Sequence, residues 1–73
     1  MTQYQIHIQG HLDQHWETVF SGFQIHHTYN PDGEPITVMR GDVIDQAALY
    51  GIINRLRNLG MELISAQPDL GQQ

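Results

Sequence analysis

Residues 23–40 read FQIHHTYNPDGEPITVMR, and this stretch decides the fold. From Phe23 to Tyr29 the residues alternate. Phe23, Ile25, His27 and Tyr29 share one face, and Gln24, His26 and Thr28 share the other, a period of two that marks a β-strand. Asn30, Pro31, Asp32 and Gly33 each have a local reason to bend the chain. Ile36 to Arg40 resumes the strand, with Pro35 at the mouth of the hairpin, where a missing N–H costs least.

Working outward, Tyr4, Ile6 and Ile8 alternate with Gln5, His7 and Gln9, which predicts a first strand closed by Gly10. Asp13 is a good N-cap, and Leu12, Trp16, Val19 and Phe20 fall at helical spacing. This predicts a short amphipathic helix over 13–20, stopped by Gly22. On the C-terminal side Gly41 and Asp42 are read as breaking the strand. Asp45 caps the main helix, whose apolar stripe is Leu49, Ile52, Ile53, Leu56 and Leu59. Asn54, Arg55, Arg57 and Asn58 hold its wet side, and Gly60 is its left-handed stop. Met61 to Gln67 forms a last strand ended by Pro68. The expectation is one α+β domain over residues 1–67, with a flexible tail over 68–73.

The order strand, short helix, strand, strand, long helix, strand suggests the ferredoxin-like βαββαβ layout. That is a four-stranded antiparallel sheet with both helices on one face. If 13–20 is a loop, the alternative is a βββαβ meander with one helix. Two helices cover only one side of such a sheet. Tyr4, Ile6, Ile8, Phe23, Ile25 and Val38 are expected to meet Leu49, Ile52, Ile53 and Leu56. Gln5, His7, Gln9, Gln24, His26, Thr28, Thr37 and Met39 are expected on the open side.

That open face is polar but almost uncharged. It reads as a wet surface, as a dimer interface, or as the floor of a small-ligand pocket between subunits. Charge depletion is a mark of interface cores. Within this set, Gln5, His7, Gln9, Gln24, His26, Thr28 and Met39 are the interface candidates. His7, His26, His11 and Trp16 are the ligand-binding candidates. Trp16, Phe20 and Phe23 also cluster in sequence, either as a satellite core or as an aromatic wall beside spare helix N–H groups that would hold an anion.

Composition limits the chemistry. The chain has 73 residues, no cysteine and no lysine, and its formal charge is −5. A chain of this size buries only about 60% of its unfolded surface, so self-association is a natural support. Without cysteine there are no disulfides, thiolate metal sites or thiol nucleophiles. Without lysine there is no Schiff-base chemistry and no P-loop lysine. Three arginines against eight carboxylates argue against nucleic acid and anionic membrane. The five histidines carry the charge balance: protonating them all, below roughly pH 6, brings the net charge to about zero. Solubility and association are expected to change there. The start of the chain lacks both a basic region and a long apolar run, so no signal peptide is expected and the cytoplasm is the expected location.

Candidate catalytic groups are sparse. His11 and His15 have metal-ligand spacing, but Asp13 looks like a cap between them and no third ligand is assured, so no metal is expected. His26 and His27 point to opposite faces of one strand and cannot grip one ion. His7 and His26 would lie about 10 Å apart across an intervening strand. Ser21 and Ser65 sit in no nucleophile elbow. Neither a catalytic residue nor a cofactor is assigned.

The motifs Gly10-His11-Leu12-Asp13, Trp16, Phe20 and Gly22, then Asp45-Gln46-Ala47-Ala48-Leu49 and Gly51, then Arg55, Arg57, Leu59 and Gly60 resemble a group of short bacterial proteins of uncharacterised function. The resemblance spans most of the chain. Some of those relatives carry a second tryptophan where this chain has Val19. The resemblance implies a free-standing protein and brings no activity or site residue with it. Three functional expectations follow: a homodimeric interaction or regulatory module using the sheet face or the long helix, a small-ligand sensor, or a small dimeric enzyme with His7 or His26 as base.

Overall fold

The structure is a computed structural model that describes residues 2–20 and 22–69. Strand β1 (Thr2–Gln9) is followed by one turn of 3-10 helix (Gln14–Glu17), strand β2 (Phe23–Tyr29), strand β3 (Pro35–Val43), helix α1 (Gln46–Asn58) and strand β4 (Glu62–Pro68). The four strands form one sheet in the order β2-β3-β1-β4, and every neighbouring pair is antiparallel. The protein is therefore an α+β domain with one α-helix on one side of the sheet.

The inner face follows from side-chain alternation. Ile6 and Ile25 lie on either side of Met39 in register, and all three are sealed from solvent. Ile8, Phe23 and Val43 extend this layer, and Leu49 and Leu56 of α1 close it. Ile6 and Leu56 belong to the same cluster. Burying side chains of this size contributes roughly 1.5–3 kcal/mol each before chain entropy is subtracted. Asp45 caps α1, its carboxylate accepting the Ala48 N–H at 2.8 Å. Ile52 and Ile53 pack half-buried against the core, whereas Leu59 has left the stripe as the C-cap and is exposed.

Three expectations are corrected. The ferredoxin-like βαββαβ layout lacks its first α-helix, because 13–20 makes only a four-residue 3-10 turn. A segment this short cannot offset the cost of helix nucleation, and Thr18 and Val19 are β-branched. The meander is corrected too, because β1 pairs with β3 and β4 rather than with β2.

The third correction concerns β3, which does not break at Gly41 but runs to Val43. Gly41 faces inward between Tyr4 and Phe23. A Cβ there would lie 2.6 Å from the Gly22 carbonyl oxygen and 2.7 Å from the Phe23 ring. Glycine is needed because another part of the chain approaches closely. Its position places Thr37, Met39 and Val43 inside. Val38, expected inside, faces out with Ile36 and Arg40. Met39, expected on the open face, is buried in the core.

Thr37 tolerates full burial because its hydroxyl is fully used. It donates to the Gly10 carbonyl at 2.6 Å and accepts the Leu12 N–H at 2.9 Å. At the other end of the molecule β4 continues through Pro68, and the Asp69 N–H donates to the Gln3 carbonyl at 2.6 Å. The rest of the expected tail, 70–73, lies outside the described residues, as does Ser21.

Candidate functional site

The outer face of the sheet carries the candidate site, in rows set by register. Ser65, His7, Val38 and His26 stand side by side across all four strands. His7 and His26 thus flank Val38, separated by two strand spacings of about 9–10 Å. The row above holds Gln67, Gln5, Arg40 and Gln24, and the row below holds Glu62, Gln9, Ile36 and Thr28. Gln5, His7, Gln9, Gln24, His26 and Thr28 therefore share one face, whereas Thr37 and Met39, also expected there, are buried on the inner side.

A bulge adds a residue to this face. Between His7 and Ile8 the β1–β4 register shifts, so that Ser65 opposes His7 while Leu63 opposes Ile8. The extra residue, Ile64, lines a cleft of about 300 Å³ with His7, Ile36 and Val38. Ile36 is buried and Ile64 half-exposed. The centre of the face is thus aliphatic, which sequence reasoning missed.

Above this centre runs a polar network. Gln5 bridges His7 and Arg40. The amide orientation that satisfies both ends has its NH2 donating to His7 Nε2 at 2.9 Å. Its oxygen then accepts from Arg40 Nη2 at 2.9 Å and Nε at 3.2 Å. Arg40 also lies 3.8 Å from the Asp69 carboxylate, which is almost fully buried. Among the described residues, the one arginine on this face is therefore neutralised locally. Asp69 was read as part of a tail and so was missed as its partner.

His11 and Trp16 sit elsewhere, near the edge of β2. His11 stacks on His27, with ring centroids 4.4 Å apart and planes 14° from parallel, and meets Tyr29 edge-on at 5.1 Å. Each imidazole has its Nε2 on a backbone carbonyl, His11 on Thr28 and His27 on Leu12. His15 turns away, its Nδ1 3.1 Å from Asp13. Among the described residues no three His, Cys, Asp or Glu side chains converge on a metal position.

The Asp13 carboxylate accepts the His15 N–H at 3.0 Å and so occupies the turn's N-terminus, where an anion was considered. That backbone hydrogen bond and the His15 ring beside it hold the Asp13 carboxyl below the usual carboxylate range.

The 3-10 turn does a different job. Its side chains at positions i and i+3 eclipse one another. Gln14 and Glu17 both reach Ile25 on the outer edge of β2. Gln14 Nε2 donates to the Ile25 carbonyl at 2.8 Å, and the Ile25 N–H donates to the Glu17 carboxylate at 2.8 Å. This backbone hydrogen bond, with the Gln14 amide adding to it, lowers the Glu17 pKa.

Residues 3–67 match the family model described as a domain of unknown function, DUF8691. The chain belongs to this family. No curated protein and no solved structure matches the DUF8691 chain. The residues matched span the whole sheet and α1, apart from the two ends of the sheet, Thr2 and Pro68. No described helix of this DUF8691 domain is long and apolar enough to cross a membrane.

Proposed function

We propose that this chain is a non-enzymatic interaction module that works as a homodimer, with the outer sheet faces of two copies packed together. The observation that carries this reading is the aliphatic centre of Ile36, Val38 and Ile64, bordered by Gln9, His26, Thr28, Ser65 and His7, with Glu62 beyond Gln9 at the β4 edge. Interface cores are depleted in charge in this way. Electrostatics supports a second copy of this chain as the partner. The chain carries −5, so two copies repel one another over most of their surfaces. Among the described residues the middle of this face holds no carboxylate, and the nearby Arg40 is held by Gln5 and Asp69. A second copy meets least opposition here.

The layout also fits a ferredoxin-like sheet that has lost its first helix. β1 and β3 are central, and β2 and β4 lie outside them. β1 and β2 run parallel with one strand between them, as do β3 and β4, and α1 makes the second of these connections a split β-α-β unit. Stacking the free faces of two such sheets leaves α1 outward on both sides for further contacts.

Light scattering over a concentration series tests the reading. The wild-type chain is expected at twice its 8.4 kDa mass. Val38→Glu, at a half-exposed outer position, is expected to be a folded monomer by circular dichroism. A wild-type monomer at every concentration, or a Val38→Glu dimer as stable as wild type, rejects it.

A further inference from the structure

The missing first helix leaves a groove on the opposite side of the molecule. Between the 3-10 turn and α1 lie two clefts of about 230 and 270 Å³, both bordered by Arg55. Trp16, Val19 and Phe20 form one wall, and Gly51, Ile52 and Arg55 form the other. The Trp16 and Phe20 rings lie 6.1 Å apart, which makes the first wall aromatic.

Arg55 is the unusual member. Arg40 lies beside Asp69, and Arg57 donates to Asn54 at 2.7 Å. Among the described residues the Arg55 guanidinium has no hydrogen-bond or ion-pair partner, in a chain with eight carboxylates. An unpaired planar cation beside an apolar groove is suited to a carboxylate, which it can engage through two parallel hydrogen bonds. Gly51 keeps the space next to it open. It is an unfavourable residue inside a helix, and a Cβ at its position would meet nothing within 4 Å.

We propose that this groove binds a small apolar monocarboxylate, an aromatic or branched-chain acid. Its carboxylate lies on Arg55, and its apolar body lies in the cleft of Val19, Phe20 and Ile52 on the open side of Gly51, with Trp16 just beyond Phe20 in the adjoining cleft. Size and charge select this class. A space of about 230 Å³ falls short of the ~300–1,000 Å³ of drug-sized sites and holds one ring or one branched chain. One guanidinium in a chain of net charge −5 balances one carboxylate and not a phosphate dianion. The site lies on the helix side of the sheet and stands independently of the proposed dimer face.

Titration of the full chain with phenylacetate, followed by amide NMR and Trp16 fluorescence, tests the site. Saturable shifts are expected at Gly51, Ile52, Arg55 and the Trp16 indole. The neutral isostere phenylacetamide is expected to bind at least about tenfold more weakly, and Arg55→Gln to lose about tenfold or more in affinity for the acid. Gly51→Leu projects into open space, so it should keep the native spectrum and abolish binding. The proposal is overturned if millimolar phenylacetate gives no saturable shift, if acid and amide bind equally, or if Arg55→Gln binds as wild type does. Movement of the same amides on concentrating the protein without ligand would give the groove to a second copy, and would overturn it too.

Discussion

The inner face of the sheet is roofed in two different ways. Over β1, β3 and β4 lies α1, thirteen residues long, capped by Asp45 and held down by Leu49 and Leu56. Over β2 lies a single 3-10 turn. Its flanks plug the core with Leu12 and Phe20, while Gln14 and Glu17 hook the Ile25 backbone. One roof is fixed by a hydrophobic stripe that needs several helical turns to exist. The other is fixed by two apolar anchors and a few directional hydrogen bonds, which a short segment can supply. A small domain can therefore replace a helix with a clamp, at the cost of an open seam between the two roofs.

Removing the apolar anchor of the helical roof should have the largest effect. Leu56→Ala is expected to destabilise the fold by about 2–5 kcal/mol in urea unfolding, because the side chain is buried among core residues and leaves a cavity. A loss under about 1 kcal/mol would mean that α1 is not held by this stripe.

An intermediate effect is expected where the clamp segment joins the sheet. Thr37→Val keeps the volume but strands the buried Leu12 N–H and the Gly10 carbonyl, which the Thr37 hydroxyl now bridges. A cost of about 1–3 kcal/mol is expected. NMR should place the largest shifts at Gly10 to Asp13, and unperturbed shifts there would remove the bridge from the account.

The smallest effect belongs to the clamp itself and shows as a pH dependence. The Ile25 N–H and the Gln14 amide depress the Glu17 pKa in the folded chain. The stabilisation is therefore complete above the unfolded carboxylate value of about 4.3 and is lost as pH falls through the lower folded value. Glu17→Gln should flatten that part of the acid-unfolding profile while leaving Leu56-dependent stability unchanged. Identical profiles below pH ~4.3 would show that the charge on Glu17 contributes nothing.

Much of this was legible in the sequence. The alternation in β1 and β2, the Asp45 cap, the Leu49 and Leu56 stripe and the Gly60 stop each have one dominant local cause. The phase of β3 was not legible, because Ile36, Thr37, Val38 and Met39 carry no clear hydropathy alternation. The deciding signal was Gly41, read as a strand breaker but required by the approach of Gly22 and Phe23. Setting the phase from that glycine moves Met39 inside and Val38 out, and turns a purely polar outer face into one with an aliphatic centre. The Ile64 bulge and the Asp69 pairing depend on tertiary register, which local sequence does not encode. The spacing of Leu12, Trp16, Val19 and Phe20 is compatible with either helix type, and only the reach of Gln14 and Glu17 to Ile25 separates them.

The hooks on Ile25 also govern what the molecule can become in bulk. The Phe23 N–H is held by Phe20 and the Thr28 carbonyl by His11. With these groups engaged, this rim of the sheet is stoppered against an incoming strand. Endless stacking of sheets into a fibre needs two receptive rims on every copy. A copy with one rim stoppered terminates such growth, so crowded solutions of this acidic chain should favour finite assemblies over filaments.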